Sequence, residues 1–101
     1  MDLVKLHQDS RNLLERLADR IPPDRLDTYR TYSDVGEWAE LIDALCASLV
    51  MRQIPVTPEE RATLARLLAM FQTPKEGYAY LSDPQSVLSQ LTIVPRSDGT
   101  G

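Results

Sequence analysis

The chain has 101 residues, enough for one small domain, and its 43% hydrophobic and 26% charged content excludes a disordered chain. Its formal charge of −4 argues against a nucleic acid as ligand, and no run approaches the ~18 apolar residues of a membrane helix. A single cysteine, Cys46, excludes an internal disulfide and fits a reducing compartment. The opening MDLVKLHQDS lacks the apolar block of a secretion signal, so a cytoplasmic location is expected.

Residues 2–20 read as a helix, because Leu3, Leu6, Leu13, Leu14, Leu17 and Ile21 recur at helical spacing and Asp2 lies at the positive end of the dipole. Pro22-Pro23 stops it. Leu26, Tyr29, Tyr32 and Val35 then give a short second helical face, with Arg25 and Arg30 directed away from it. A break falls near residues 33–36. Two readings are open there: Gly36 closes the second helix at its C′ position, or Ser33 or Asp34 caps the third helix with Gly36 in its first turn.

The third helix is predicted from about Glu37 to Arg52. At ~100° per residue its Trp38, Leu41, Ile42, Leu45 and Leu49 share one arc, with Glu37, Glu40 and Asp43 opposite. Ile54-Pro55-Val56 is an extended connector. Thr57-Pro58-Glu59-Glu60 is the sharpest local signal: Thr57 as N-cap, Pro58 at N1 and Glu60 at N3 make a capping box. The helix it opens runs to Thr73-Pro74, with Leu64, Leu67, Leu68 and Phe71 inward. Gly77 to Leu81 is an aromatic turn, Asp83-Pro84 starts a short helix carrying Val87, Leu88 and Leu91, and Thr92-Ile93-Val94 is a candidate extended segment. No convincing strand pair emerges. The expected fold is all-α: a small bundle of four to five helices, residues 1–94, around a central antiparallel hairpin of helices 34–52 and 58–72, followed by a flexible tail, 95–101.

The net negative charge is local. Between Ser33 and Glu60, Asp34, Glu37, Glu40, Asp43, Glu59 and Glu60 face only Arg52, while the flanks are close to balanced. Such a stripe is commonly a solvated helix face, and it also suits a basic protein partner. The other chemistry-bearing residues read as structural. His7 is the only histidine and has no recognisable nucleophile or orienting partner. Cys46 follows the apolar arc of its helix and reads as a small buried hydrophobe. One histidine and one cysteine do not make a metal site, the acids lack the spacing of a calcium loop, and four glycines include no phosphate loop, so neither a cofactor nor catalysis is expected. The tyrosines Tyr29, Tyr32, Tyr78 and Tyr80 read as core-edge residues before interface anchors.

The segment DVGEWAELIDALCASLVMRQIPVTPEERATLARLLAMF resembles the MafI-type immunity proteins, small helical antidotes of polymorphic toxin systems. The matching elements are Gly36-Glu37-Trp38, Leu45-Cys46, Ile54-Pro55 and Thr57 to Glu60, and the upstream ADRIPPDRLDTY is similar to the family's first connector. The likeness covers residues 14 to 72. It implies an acidic, non-enzymatic, cytoplasmic antidote that binds the toxic domain of a cognate toxin, often a nuclease; a monomer is expected. A nuclease domain is usually basic, so Asp34, Glu37, Glu40 and Asp43 become the expected contact. Two other readings stay open: a helical adaptor or regulatory subunit with an apolar interface at Trp38 and the tyrosines, and a small enzyme using Glu37 and Glu40 as a carboxylate pair.

Overall fold

The computed structural model describes residues 3–71 and 78–94. Within them five α-helices and one two-residue strand pair make a small all-α bundle. The elements are α1 (Leu3–Arg16), α2 (Pro23–Asp34), α3 (Trp38–Met51), β1 (Pro55–Val56), α4 (Pro58–Ala69), α5 (Pro84–Gln90) and β2 (Thr92–Ile93). The expected tail, 95–101, lies outside the described residues.

The first helix is shorter than its apolar spacing predicts. Pro22 biases Ile21 to extended backbone, and Ile21 adopts φ −102, ψ 137. The approach tightens: the Leu17 amide donates to both the Leu13 and Leu14 carbonyls at 3.1 Å, and Ala18–Arg20 form one 3-10 turn. Leu17 and Ile21 still reach the core. Ser10 is buried on the same face, its hydroxyl satisfied by the Leu6 carbonyl at 2.7 Å.

The α2–α3 break takes the C′ reading. Gly36 sits at φ +76; its amide donates to the Ser33 carbonyl at 3.2 Å and the Glu37 amide to the Tyr32 carbonyl at 2.8 Å. Those two bonds are a Schellman closure, which needs a left-handed residue. Because α2 stops at Asp34, Val35 leaves the predicted apolar face and stands 65% exposed, while Ser33 is buried in its place. The end of α3 repeats the motif without glycine. Gln53 sits at φ +51, with its own amide on Val50 at 3.4 Å and the Ile54 amide on Leu49 at 3.2 Å. Leu49 and Ile54, both buried, supply the apolar contact that accompanies this closure.

The capping box at α4 forms as predicted. The Glu60 amide donates to the Thr57 hydroxyl at 3.1 Å, and the Thr57 amide to Glu60 Oε1 at 2.9 Å. At α5 the Ser86 amide donates to Asp83 Oδ1 at 3.3 Å. Helices α3 and α4 are linked through β1, and their packing partners differ: α3 lies chiefly on α2 and α1, α4 on α1 and α5. Their leucines nevertheless share one core, with Leu41, Leu45, Leu49, Leu64 and Leu67 all buried. Trp38 and Phe71, expected inside it, are half-buried and pack against its margin.

One element was not expected. β1 and β2 pair in parallel, Pro55 opposite Thr92 and Val56 opposite Ile93, and the Val94 amide adds a bond to the Val56 carbonyl at 2.8 Å. Two-residue strands are too short to show alternation in sequence. The pairing ties the segment after α5 to the linker before α4.

Candidate functional site

The acidic residues singled out by the sequence do not form one bare stripe. Asp34 ends α2, and its Oδ1 accepts from Arg11 Nη1 at 2.8 Å, while most of its side chain stays in solvent. Glu37 occupies the N-cap position of α3, is exposed and makes no side-chain cap bond. Glu40 and Asp43 lie one and two turns further along α3, under the segment 78–82. Glu40 accepts from the Tyr78 hydroxyl at 2.8 Å, a bond that holds the phenol above its ordinary pKa. Asp43 Oδ1 accepts two backbone amides, from Tyr80 at 3.0 Å and Leu81 at 2.9 Å. The expectation that Glu40 and Asp43 point freely to solvent is therefore corrected. The reason is tertiary: the aromatic segment has amides and a hydroxyl to satisfy, and α3 offers carboxylates.

Glu60 leaves the acidic surface altogether. Its side chain is 1% exposed and takes a fork from Arg20, Nη1 to Oε1 at 2.7 Å and Nη2 to Oε2 at 3.0 Å, with Arg16 Nε at 3.4 Å. Burial pushes this carboxyl up, but the Arg20 fork and the Thr57 amide outweigh that and hold it below the ordinary range. A second network joins α1 to α2: Arg30 forks onto Glu15 at 2.7 and 2.9 Å, and Arg11 bridges Glu15 and Asp34. The Arg30 fork is the main cause that holds Glu15 down at about 2.

At this end of the bundle the exposed acids are Asp34, which shares Arg11 with Glu15, and Glu37, with Val35 exposed between them on the Gly36 turn. The Trp38 ring backs the turn, its Cη2 3.6 Å from where a Gly36 Cβ would stand. The His7 ring meets Trp38 edge-on at 6.1 Å between centroids. The Trp38 indole nitrogen and the Ser33 hydroxyl are buried and make no hydrogen bond. The sequence pattern missed this apolar turn because it assigned Val35 to the α2 face.

The remaining candidates are structural as read. Cys46 is fully buried, and desolvation pushes its thiol up to about 12, too high for a nucleophile at neutral pH. Tyr29 is buried with its hydroxyl bonded to α3; Tyr32, Tyr78 and Tyr80 are half-buried at the core edge. Among the described residues no three His, Cys, Asp or Glu side chains converge as a metal site, and no helix is long and apolar enough to cross a membrane. No family model, no curated protein and no solved structure matches the chain.

Proposed function

We propose that this chain is a non-enzymatic binding protein that neutralises a cognate toxin domain by covering it, with the α2–α3 turn as the contact. The observation that carries the reading is the composition of that turn. Glu37 and the mostly exposed Asp34, whose Oδ1 also holds Arg11, lie on either side of an exposed Val35, backed by Trp38. An apolar centre with a charged rim is how protein interfaces combine affinity with fast association. The resemblance to MafI-type immunity proteins points to the partner, and a nuclease domain, built to hold polyanions, would present the matching basic surface. Glu40 and Asp43 contribute field at this surface, while their oxygens stay engaged with Tyr78, Tyr80 and Leu81. The action proposed is cytoplasmic, by a monomer, with no cofactor.

The test is co-expression with the cognate toxin, and association kinetics across ionic strengths. Asp34→Asn with Glu37→Gln should fold normally, slow association about tenfold at low salt and flatten its salt dependence. Val35→Asp should raise the dissociation rate. Protection and kinetics equal to the parent at every salt concentration in the Asn/Gln variant would remove the acidic contact. If Val35→Asp alone abolished binding, the apolar adaptor reading, which the exposure of Val35 favours, would replace it.

A further inference from the structure

The α2–α3 pair carries a second surface of opposite charge. α2 and α3 are joined through the Gly36 turn, and Tyr29 of α2 bonds to Ala44 and Ser48 of α3. Arg25 and Arg52, at the ends away from Gly36, line one cavity, so the two helices run antiparallel. Between them lies an open groove of about 300 Å³. Arg25, Arg52, Tyr29 and Ser48 supply its polar lining. Ala44, Ala47 and Met51 supply its apolar wall, with Met51 72% exposed.

Two features of this groove point to a ligand. The first is its uncommitted positive charge. Arg11, Arg16, Arg20 and Arg30 each hold a carboxylate; Arg25, Arg52, Arg61 and Arg66 hold none among the described residues, and of these Arg25 and Arg52 line one cavity. In a chain of net charge −4, two free guanidiniums on one cavity are a local reversal of sign. The second is a hydroxyl pair at the floor. The Tyr29 and Ser48 oxygens lie 2.5 Å apart, and the Tyr29 hydroxyl also lies 3.1 Å from the Ala44 carbonyl. The phenol proton can serve either Ala44 or Ser48. When it goes to Ser48, the Ser48 proton is free to turn outward to an acceptor in the groove.

We infer that the groove docks an acidic peptide segment of a partner protein. A side-chain carboxylate would lie between the Arg25 and Arg52 guanidiniums, and an adjacent apolar side chain would rest on Ala47 and Met51. The volume suits a few side chains. A guanidinium matches the planar carboxylate, and the apolar wall has no use for a bare ion. A nucleic acid strand would run from this groove into the acidic flank of α3, which disfavours it. The inference is independent of the acidic turn, which lies at the other end of the pair.

The experiment is an NMR titration of the full isotope-labelled chain with three probes: an acetylated, amidated tetrapeptide of alternating leucine and glutamate, its glutamine counterpart, and inorganic phosphate. The glutamate peptide should give saturable shifts at the amides of Tyr29, Ala47, Ser48 and Arg52. The glutamine peptide and phosphate should bind about tenfold more weakly or not at all, and R25Q with R52Q should cost the glutamate peptide at least about tenfold without altering the rest of the spectrum. Ala47→Leu, which fills the groove, should block the peptide while leaving both arginines in place. An absent or unsaturable shift, equal binding of the glutamine peptide or of phosphate, or an unchanged response in R25Q/R52Q would each overturn the inference. Shifts that depend on protein concentration alone would overturn it too, assigning the groove to a second copy of this chain.

Discussion

Asp43 holds two backbone amides on one oxygen, and those amides belong to a segment far away in the chain. A charged acceptor makes such bonds stronger than neutral ones, and the half-buried position shields them in part from water. Truncating it would leave the Tyr80 and Leu81 amides facing an apolar helix. We expect Asp43→Ala to destabilise the domain by about 2 kcal/mol, and Asp43→Asn, which keeps one acceptor oxygen, by about half as much. Glu37→Ala, nearly two turns away and with no side-chain cap bond, should change stability by less than ~0.5 kcal/mol. Urea denaturation of the three variants checks the contrast; equal midpoints for Asp43→Ala and Glu37→Ala would mean the segment 78–82 is not held by α3. The two acids are alike in sequence and sit on the same helix. Their difference lies in what folds over them, which the local pattern does not contain.

Prolines open α2, α4 and α5, and left-handed residues close α2 and α3. The prolines at 22, 23, 58 and 84 and the Thr57–Glu60 box were legible because each acts within four residues of itself. Gly36 was legible as a break, and only the backbone decided that it ends α2 rather than opens α3. The end of α3 was placed to within a residue, but its closure by Gln53 carries no such signal. A non-glycine residue there costs ~1–2 kcal/mol, part of which glycine gives back through the greater freedom of the unfolded chain. Gln53→Gly should therefore stabilise the protein by about 0.5–1 kcal/mol, read as a raised denaturant midpoint with the slope unchanged. A lowered midpoint would show that the Gln53 side chain contributes more than its backbone costs.

At the scale of the whole molecule, α1 is the element on which the others lean, and its two carboxylate networks make the assembly sensitive to acid. Glu15 and Glu60 both titrate below their ordinary range in the folded chain, Glu15 at about 2. A depressed folded value means that the stabilisation is complete above the unfolded value of 4.5 and is lost as pH falls from there through the folded value. Stability should thus be flat from neutrality to about pH 5 and decline steadily toward about pH 2. Glu60→Gln should be less stable at neutral pH, since Arg20 loses its charged partner, and its decline in acid should be shallower. Parallel curves for parent and variant, followed by circular dichroism in urea at each pH, would show that Glu60 is not paired in the folded state.

What the sequence determined by itself is everything that acts over one or two helical turns: five amphipathic segments, their prolines, the capping box and a common leucine core. Periodicity and capping are local physics, and a chain of this size can bury those leucines only by packing the helices together. What only the tertiary structure decided is how charge and backbone are shared between distant segments. It buried Glu60 under Arg20, covered Glu40 and Asp43 with the 78–82 segment, exposed Val35 on the turn, left Arg25 and Arg52 unpaired across a groove, and joined β1 to β2. A carboxylate looks the same in sequence whether it meets water, an arginine or an amide. Which of these it meets is fixed by residues far along the chain, brought near only when the core closes.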